Sequence, residues 1–186
     1  MQTVIAIVGK IGAGKDEAAE YLSKKLNWPV FKVSQPLKDE LKRQGKEINR
    51  ENLAKLGTEW SKKKGDDYLA RLALKKHKGN LIICGPRQLG QINFLRQNSN
   101  LIILAINARD NIRFKRVIKR NSVKEAKNLQ KFIEEEIKND ASDGANQVVK
   151  CIKLANIAVE NNGSLDNLHR NLDKAIKKIN LFDISV

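Results

Sequence analysis

Near its amino end the chain runs from an apolar, largely β-branched segment, Val4 to Val8, into Gly9-Lys10-Ile11-Gly12-Ala13-Gly14-Lys15-Asp16. Such a segment suits a strand buried on both faces of a parallel sheet. From Lys15 the apolar period changes, and Ala18, Ala19, Leu22 and Leu26 share one face of a helix. Strand, glycine-rich loop, lysine and helix, in that order, constrain the chain more than any other feature. Glycines let backbone N–H groups turn inward around a polyphosphate. The new helix presents its positive end to the same point, and the lysine reaches the β- and γ-phosphates. The spacing Gly9-x-x-x-x-Gly14-Lys15 fits this phosphate-binding loop, with Asp16 where Ser or Thr usually ligates Mg²⁺. A carboxylate there can hold the metal directly or through water, but without metal it repels phosphate. The competing interpretation is a glycine-rich turn at a helix start with Asp16 as its cap; the ordered coincidence of four features favours phosphate.

A length of 186 residues predicts one domain with a proper core. Hydrophobic residues make up 41%, and no apolar run approaches membrane-spanning length. Met1 leads directly into the first strand, which leaves no room for a leader and predicts a cytoplasmic protein. Cys84 and Cys151 are far apart and read as small core residues. The net charge of +15 fits a nucleic-acid surface, a polyanionic small substrate or a solvated surface. Basic residues are spread along the chain and aromatics are only 5%, so a nucleic-acid interface is not favoured. Oligomeric state is not legible.

Four further apolar segments, Val30–Val33, Leu81–Cys84, Leu101–Ile106 and Ile157–Val159, alternate with helical patterns. The expectation is a single α/β domain with a five-stranded parallel sheet and helices on both faces. The helices between them carry Leu37 and Leu41 after Pro36, then Leu53, Leu56 and Trp60 from near Asn49, then Tyr68 to Lys76, and then Ile92 to about Gln97. Arg109, Arg113, Arg116 and Arg120 are spaced by four, three and four, which predicts four guanidinium groups on one helical face. Such a stripe repels itself unless anions neutralise it, so it reads as a phosphate clamp. Lys124 to Lys138 is expected as a helix with Leu129, Ile133 and Ile137 aligned and Glu134-Glu135-Glu136 solvated, ending at Asp143-Gly144. Val148, Ile152 and Ala155 continue on another. Ser164 caps the last helix, whose stripe is Leu165, Leu168, Leu172, Ile176 and Ile179. His77 and His169 are isolated and read as packing or surface residues.

Taken together, these motifs resemble small P-loop kinases of the nucleoside-monophosphate kinase group. They are most similar to the branch with dephospho-CoA kinase-like, deoxynucleoside-monophosphate kinase-like and archaeal adenylate kinase-related proteins. The resemblance rests on Gly14-Lys15-Asp16-Glu17, Leu37 to Leu41 with Glu47 to Leu53, Gly85-x-Arg87, Ile112-Arg113-Phe114-x-Arg116-Val117-x-x-Arg120, and Lys150-Cys151-Ile152 through Asn161-Asn162-Gly163-Ser164-Leu165. It departs where the family usually has an acidic residue closing the third strand, here Cys84, and in lacking a second arginine near Trp60.

The resemblance implies a core of residues 1–34, 79–108 and 155–186, acceptor-binding helices over 35–78 and a lid over 109–145. It implies transfer of the γ-phosphoryl group of ATP, with Mg²⁺, to a nucleoside or deoxynucleoside monophosphate; dephospho-CoA is the nearest rival acceptor. A catalytically reduced nucleotide-binding or RNA-associated protein is the alternative from another class. Gly9, Lys10, Ile11, Gly12, Ala13, Gly14, Lys15, Asp16 and Glu17 would hold the ATP phosphates, and Asp16 would hold the metal. Asn162 and Gly163 would lie against adenine. Ser34, Lys38, Arg50 and Arg87 would border the acceptor. Lys15, Arg87, Arg113 and Arg116 would neutralise the transferring group.

Overall fold

The computed structural model describes residues 1–120, 128–141 and 147–179. One or three helices separate successive strands in chain order: β1 (Thr3–Val8), α1 (Lys15–Leu26), β2 (Val30–Lys32), α2 (Ser34–Arg43), α3 (Arg50–Lys64), α4 (Tyr68–Lys76), β3 (Leu81–Cys84), α5 (Leu89–Asn98), β4 (Asn100–Asn107), α6 (Asp110–Lys119), α7 (Leu129–Ala141), α8 (Val148–Lys153), β5 (Ile157–Glu160) and α9 (Leu165–Lys178), among the described residues. The five strands form one parallel sheet in the order β2-β3-β1-β4-β5. This is the expected α/β architecture. Beside the central β1 the chain switches direction across the sheet, and in such sheets ligands bind beyond the carboxyl ends of the strands at that point.

Alternation along the strands divides the core. Val4, Ala6 and Val8 pack with Phe31, Leu37, Leu56, Leu69, Ile92 and Cys151 on one face. Ile5 and Ile7 pack with Ala18, Ala19, Leu22, Cys84, Leu168 and Leu172 on the other. Burial on both faces explains why β1 is apolar from Val4 onward. Both cysteines are buried and free.

Several details differ from expectation. Val33 lies outside β2, and Ala155 lies beyond α8. Leu165 is 52% exposed because it occupies the first position after the Ser164 cap, and the stripe reaches the core only from Leu168. On α7 the inward stripe is Leu129, Phe132, Ile133 and Glu136, packed with Ile11, Phe114 and Val117, while Ile137 is 62% exposed. Positions i, i+3, i+4 and i+7 share a helical face, so Glu136 occupies an inward position and is not simply solvated. The expected start of this helix at Lys124 and its break at Asp143-Gly144 lie outside the described residues. Among the described residues no helix is long and apolar enough to cross a membrane.

Candidate active site

The glycine-rich loop is held open by its own backbone and by two neighbouring segments. Gly12 has φ +76°, and a Cβ there would stand 2.6 Å from the Arg113 carbonyl oxygen. Gly14 caps α1 at φ +100°, and a Cβ there would collide with the side-chain amide of Asn161. Both positions combine a left-handed backbone with a close neighbour, so only glycine fits. Ala13 is buried; its N–H donates to Lys10 O at 3.2 Å and its carbonyl accepts from Asn161 Nδ2 at 2.8 Å. Lys15 at the start of α1 turns back across the loop and donates from Nζ to Lys10 O at 2.9 Å. The lysine, the loop and the start of the helix thus converge on one place, the arrangement by which such loops hold anions.

Burial lowers the Lys15 ammonium to about pKa 8, and the Arg87 charge acts in the same direction. Asp16 and Glu136 oppose the shift. Arg87 follows β3 and is exposed to water, with much of the protein packed around it. Desolvation, and then the charge of Arg50 at the start of α3, hold its pKa below the usual range. Lys15 thus feels the charge of Arg87, and Arg87 that of Arg50, in a run of cations from the loop to α3. Arg50 is placed there by the Asn49 cap of α3, whose side chain accepts from the Asn52 N–H at 2.9 Å. Ser34 begins α2 directly after Val33, whose N–H donates to Cys84 O at 3.0 Å, and Lys38 lies half-buried one turn further on.

Asp16 is exposed at the cradle mouth, 3.7 Å from Lys32 Nζ and 3.9 Å from Cys84 Sγ. Burial, with the nearby Asp16 charge, pushes the Cys84 thiol up to about 12, so it stays protonated. No group of three or more His, Cys, Asp or Glu side chains suited to a metal occurs among the described residues. Asp16 alone still fits Mg²⁺, which commonly takes one or two carboxylates and completes its shell with phosphates and water. Glu17 turns to α9 and meets His169 Nε2 at 3.3 Å, and His169 stacks on Tyr21 with centroids 4.0 Å apart.

The arginines of α6 do not form the expected stripe. Arg109 and Arg120 flank the helix and are exposed. Arg113 is 1% exposed, and its two terminal nitrogens meet Glu136 at 2.6 and 2.8 Å, Asp110 at 2.6 Å and the Ile11 carbonyl at 2.9 Å. Lys10 Nζ also reaches Glu136, at 3.4 Å. Arg116 alone leans over the loop, 3.5 Å from Gly12 O and 3.2 Å from Asn161 Oδ1. Desolvation, with Arg120 nearby, lowers its pKa.

After β5, Asn161 is 5% exposed and braces both Ala13 and Arg116. Asn162 Oδ1 accepts from the Arg109 N–H at 2.8 Å. Asn162 and Gly163 line a hollow of about 400 Å³ with Glu160, Asn167 and Asn171. Sequence reasoning had not given a site role to Glu136 or Lys32, and it took Asn161 only as part of a turn from 161 to 164 against adenine, not as a brace of the loop. An acidic run resembles solvated surface, and Asn-Asn-Gly resembles an ordinary turn; their partners are far away along the chain.

No family model matches the chain. In structure it is similar to the shikimate kinase of Acinetobacter baumannii in complex with shikimate, with TM-score 0.61, 14% identity and coverage of 97% and 96% of the two chains. A gluconokinase from Sinorhizobium meliloti is also similar, with TM-score 0.56, 12% identity and coverage of 99% and 98%. These likenesses define a P-loop kinase-like fold. A UPF0200 protein of Methanococcus vannielii is 31% identical, over 95% of this chain and 96% of its own length. Similarity at that level along nearly the whole of both sequences means that this chain belongs to the UPF0200 family.

Proposed function

We propose that the protein is an ATP-dependent small-molecule kinase that transfers the γ-phosphoryl group to a nucleoside or deoxynucleoside monophosphate. The observation that carries this reading is the run of cations leading from the loop, Lys15 to Arg87 to Arg50, with Arg116 over the opposite wall. One phosphate group needs fewer positive neighbours; a triphosphate facing a phosphate-bearing acceptor fits this arrangement. A phosphate acceptor is already ionised near neutral pH and needs no general base. A hydroxyl acceptor such as dephospho-CoA would need one, and Asp16 and Glu136 both face cations already.

In this mechanism the loop N–H groups and Lys15 hold the β- and γ-phosphates, Arg87 and Arg50 orient the acceptor phosphate, and Arg116 neutralises charge on the transferring group. Asp16 would hold a magnesium ion on the triphosphate, and the ion would spread the charge of its oxygens. Arg113 tethers the loop from beneath. The hollow beside Asn162 and Gly163 suits the nucleoside of ATP.

ADP release from Mg-ATP tests the reading. The acceptor panel comprises ribo- and deoxyribonucleoside monophosphates, dephospho-CoA, shikimate, gluconate and a 5′-hydroxyl oligonucleotide. Stimulation by a monophosphate, reduced at least about a hundredfold by Lys15→Ala, is expected. Stimulation only by a hydroxyl compound would overturn the acceptor assignment. Strongly salt-dependent RNA binding without any phosphoryl transfer would favour the RNA-associated alternative.

A further inference from the structure

Asp16 sets a physical problem: a carboxylate on the first turn of the helix whose amino end faces the phosphates. Its charge favours the helix dipole but opposes a triphosphate arriving at the same place. Lys32, the last residue of β2, stands against this turn. Its Nζ lies 3.0 Å from Glu20 Oε1 and 3.7 Å from Asp16 Oδ1. Asp16 and Glu20 are four residues apart on α1, so one ammonium bridges two carboxylates on successive turns of one face. The Glu20 hydrogen bond, with help from the charges of Asp16 and Glu20, raises the Lys32 pKa and keeps it cationic. Neither the P-loop pattern nor the proposed chemistry uses this lysine.

We propose that Lys32 is a positioning residue, the built-in counter-ion of Asp16, which lets the loop accept a triphosphate before any metal is bound. Glu20 anchors the ammonium, and Lys32 shares the charge of Asp16 for as long as no metal is bound. With Mg²⁺ present, Asp16 would be the residue to hold it. Lys32 thereby sets how strongly nucleotide affinity depends on Mg²⁺. The inference rests on the triphosphate-binding reading of the loop.

Titration calorimetry at low ionic strength tests it, with ATP in EDTA and with Mg-ATP, on the unaltered protein, Lys32→Gln, Asp16→Asn and the double variant. Exposed pairs contribute modestly, so Lys32→Gln is expected to weaken metal-free ATP binding about fivefold. Its Mg-ATP affinity should stay within about twofold on the same scale. The double variant should recover metal-free affinity, because the repelling carboxylate is gone. A purely structural role for Lys32 would weaken both forms of ATP alike. Equal weakening, no weakening, or no recovery with Asp16→Asn would each overturn the inference while leaving ATP binding intact. Failure of the unaltered protein to bind either form would overturn the triphosphate reading and this inference with it.

Discussion

An ammonium shielded from water and set beside a guanidinium gives up its proton more readily than one in solution, and Lys15, at about 8, shows both influences. Phosphates placed against it would raise its pKa again. Between about 8 and the ordinary value of 10.5, ATP binding must therefore draw in a proton. At a pH half a unit above the Lys15 pKa, calorimetry in buffers of different ionisation enthalpy should find uptake of more than half a proton. Lys15→Met should take up none. The nucleotide-free protein should respond in the complementary sense. In the same pH window the unfolded chain binds more protons at this lysine than the folded chain does, so its contribution to stability rises with pH. Lys15 was legible in the sequence because its spacing from Gly9 and Gly14 is a local pattern. Arg113 was legible only as one arginine among four; its burial against Glu136, Asp110 and the Ile11 carbonyl was not.

Helices α6 and α7 and the phosphate loop meet through that tether. Arg113 spends its guanidinium on Glu136, Asp110 and Ile11 O, and its Nε has no partner among the described residues. Glu136→Ala takes away the more buried of the two carboxylates that face Arg113 and leaves it only the half-exposed Asp110, so it should cost about 3 kcal/mol in denaturant unfolding. The double substitution Arg113→Met with Glu136→Met should cost less than half as much, because no orphaned charge remains at its centre. Additive costs would show that the pair is not coupled. At this scale the strands and most helices were legible, since apolar periods of two and 3.6 are properties of adjacent residues. The stripe on α7 was not: its inward face ends in Glu136, a polar residue that belongs there only because Arg113 lies opposite.

For the molecule as a whole, a loop that binds ATP in the folded state alone must stabilise it by mass action. A nucleotide concentration about a hundred times Kd adds about 2.7 kcal/mol, which raises Tm by about 5–10 °C in a chain of this size. Lys15→Ala should abolish most of that shift, and an unchanged Tm in the unaltered protein would count against ATP as ligand. The +15 charge does not make the same forecast for RNA, because its lysines are dispersed and several are paired with carboxylates.

By itself the sequence determined the glycine-rich loop between strand and helix, the five apolar segments that become strands, and most of the helices between them. Glycine punctuation and hydrophobic period act over a few residues, so neighbours in the chain suffice to show them. Only the tertiary structure decided the order β2-β3-β1-β4-β5, which brings Arg87 after β3 and Asn161 after β5 to one loop after β1. It also chose partners among like residues: Glu136 from an acidic run, Arg113 from four arginines and Lys32 from many lysines. A charged side chain carries no sign in the sequence of which opposite charge will face it. That choice is made when strand pairing and apolar burial bring distant segments together, and the charges must then be paired or solvated where they fall.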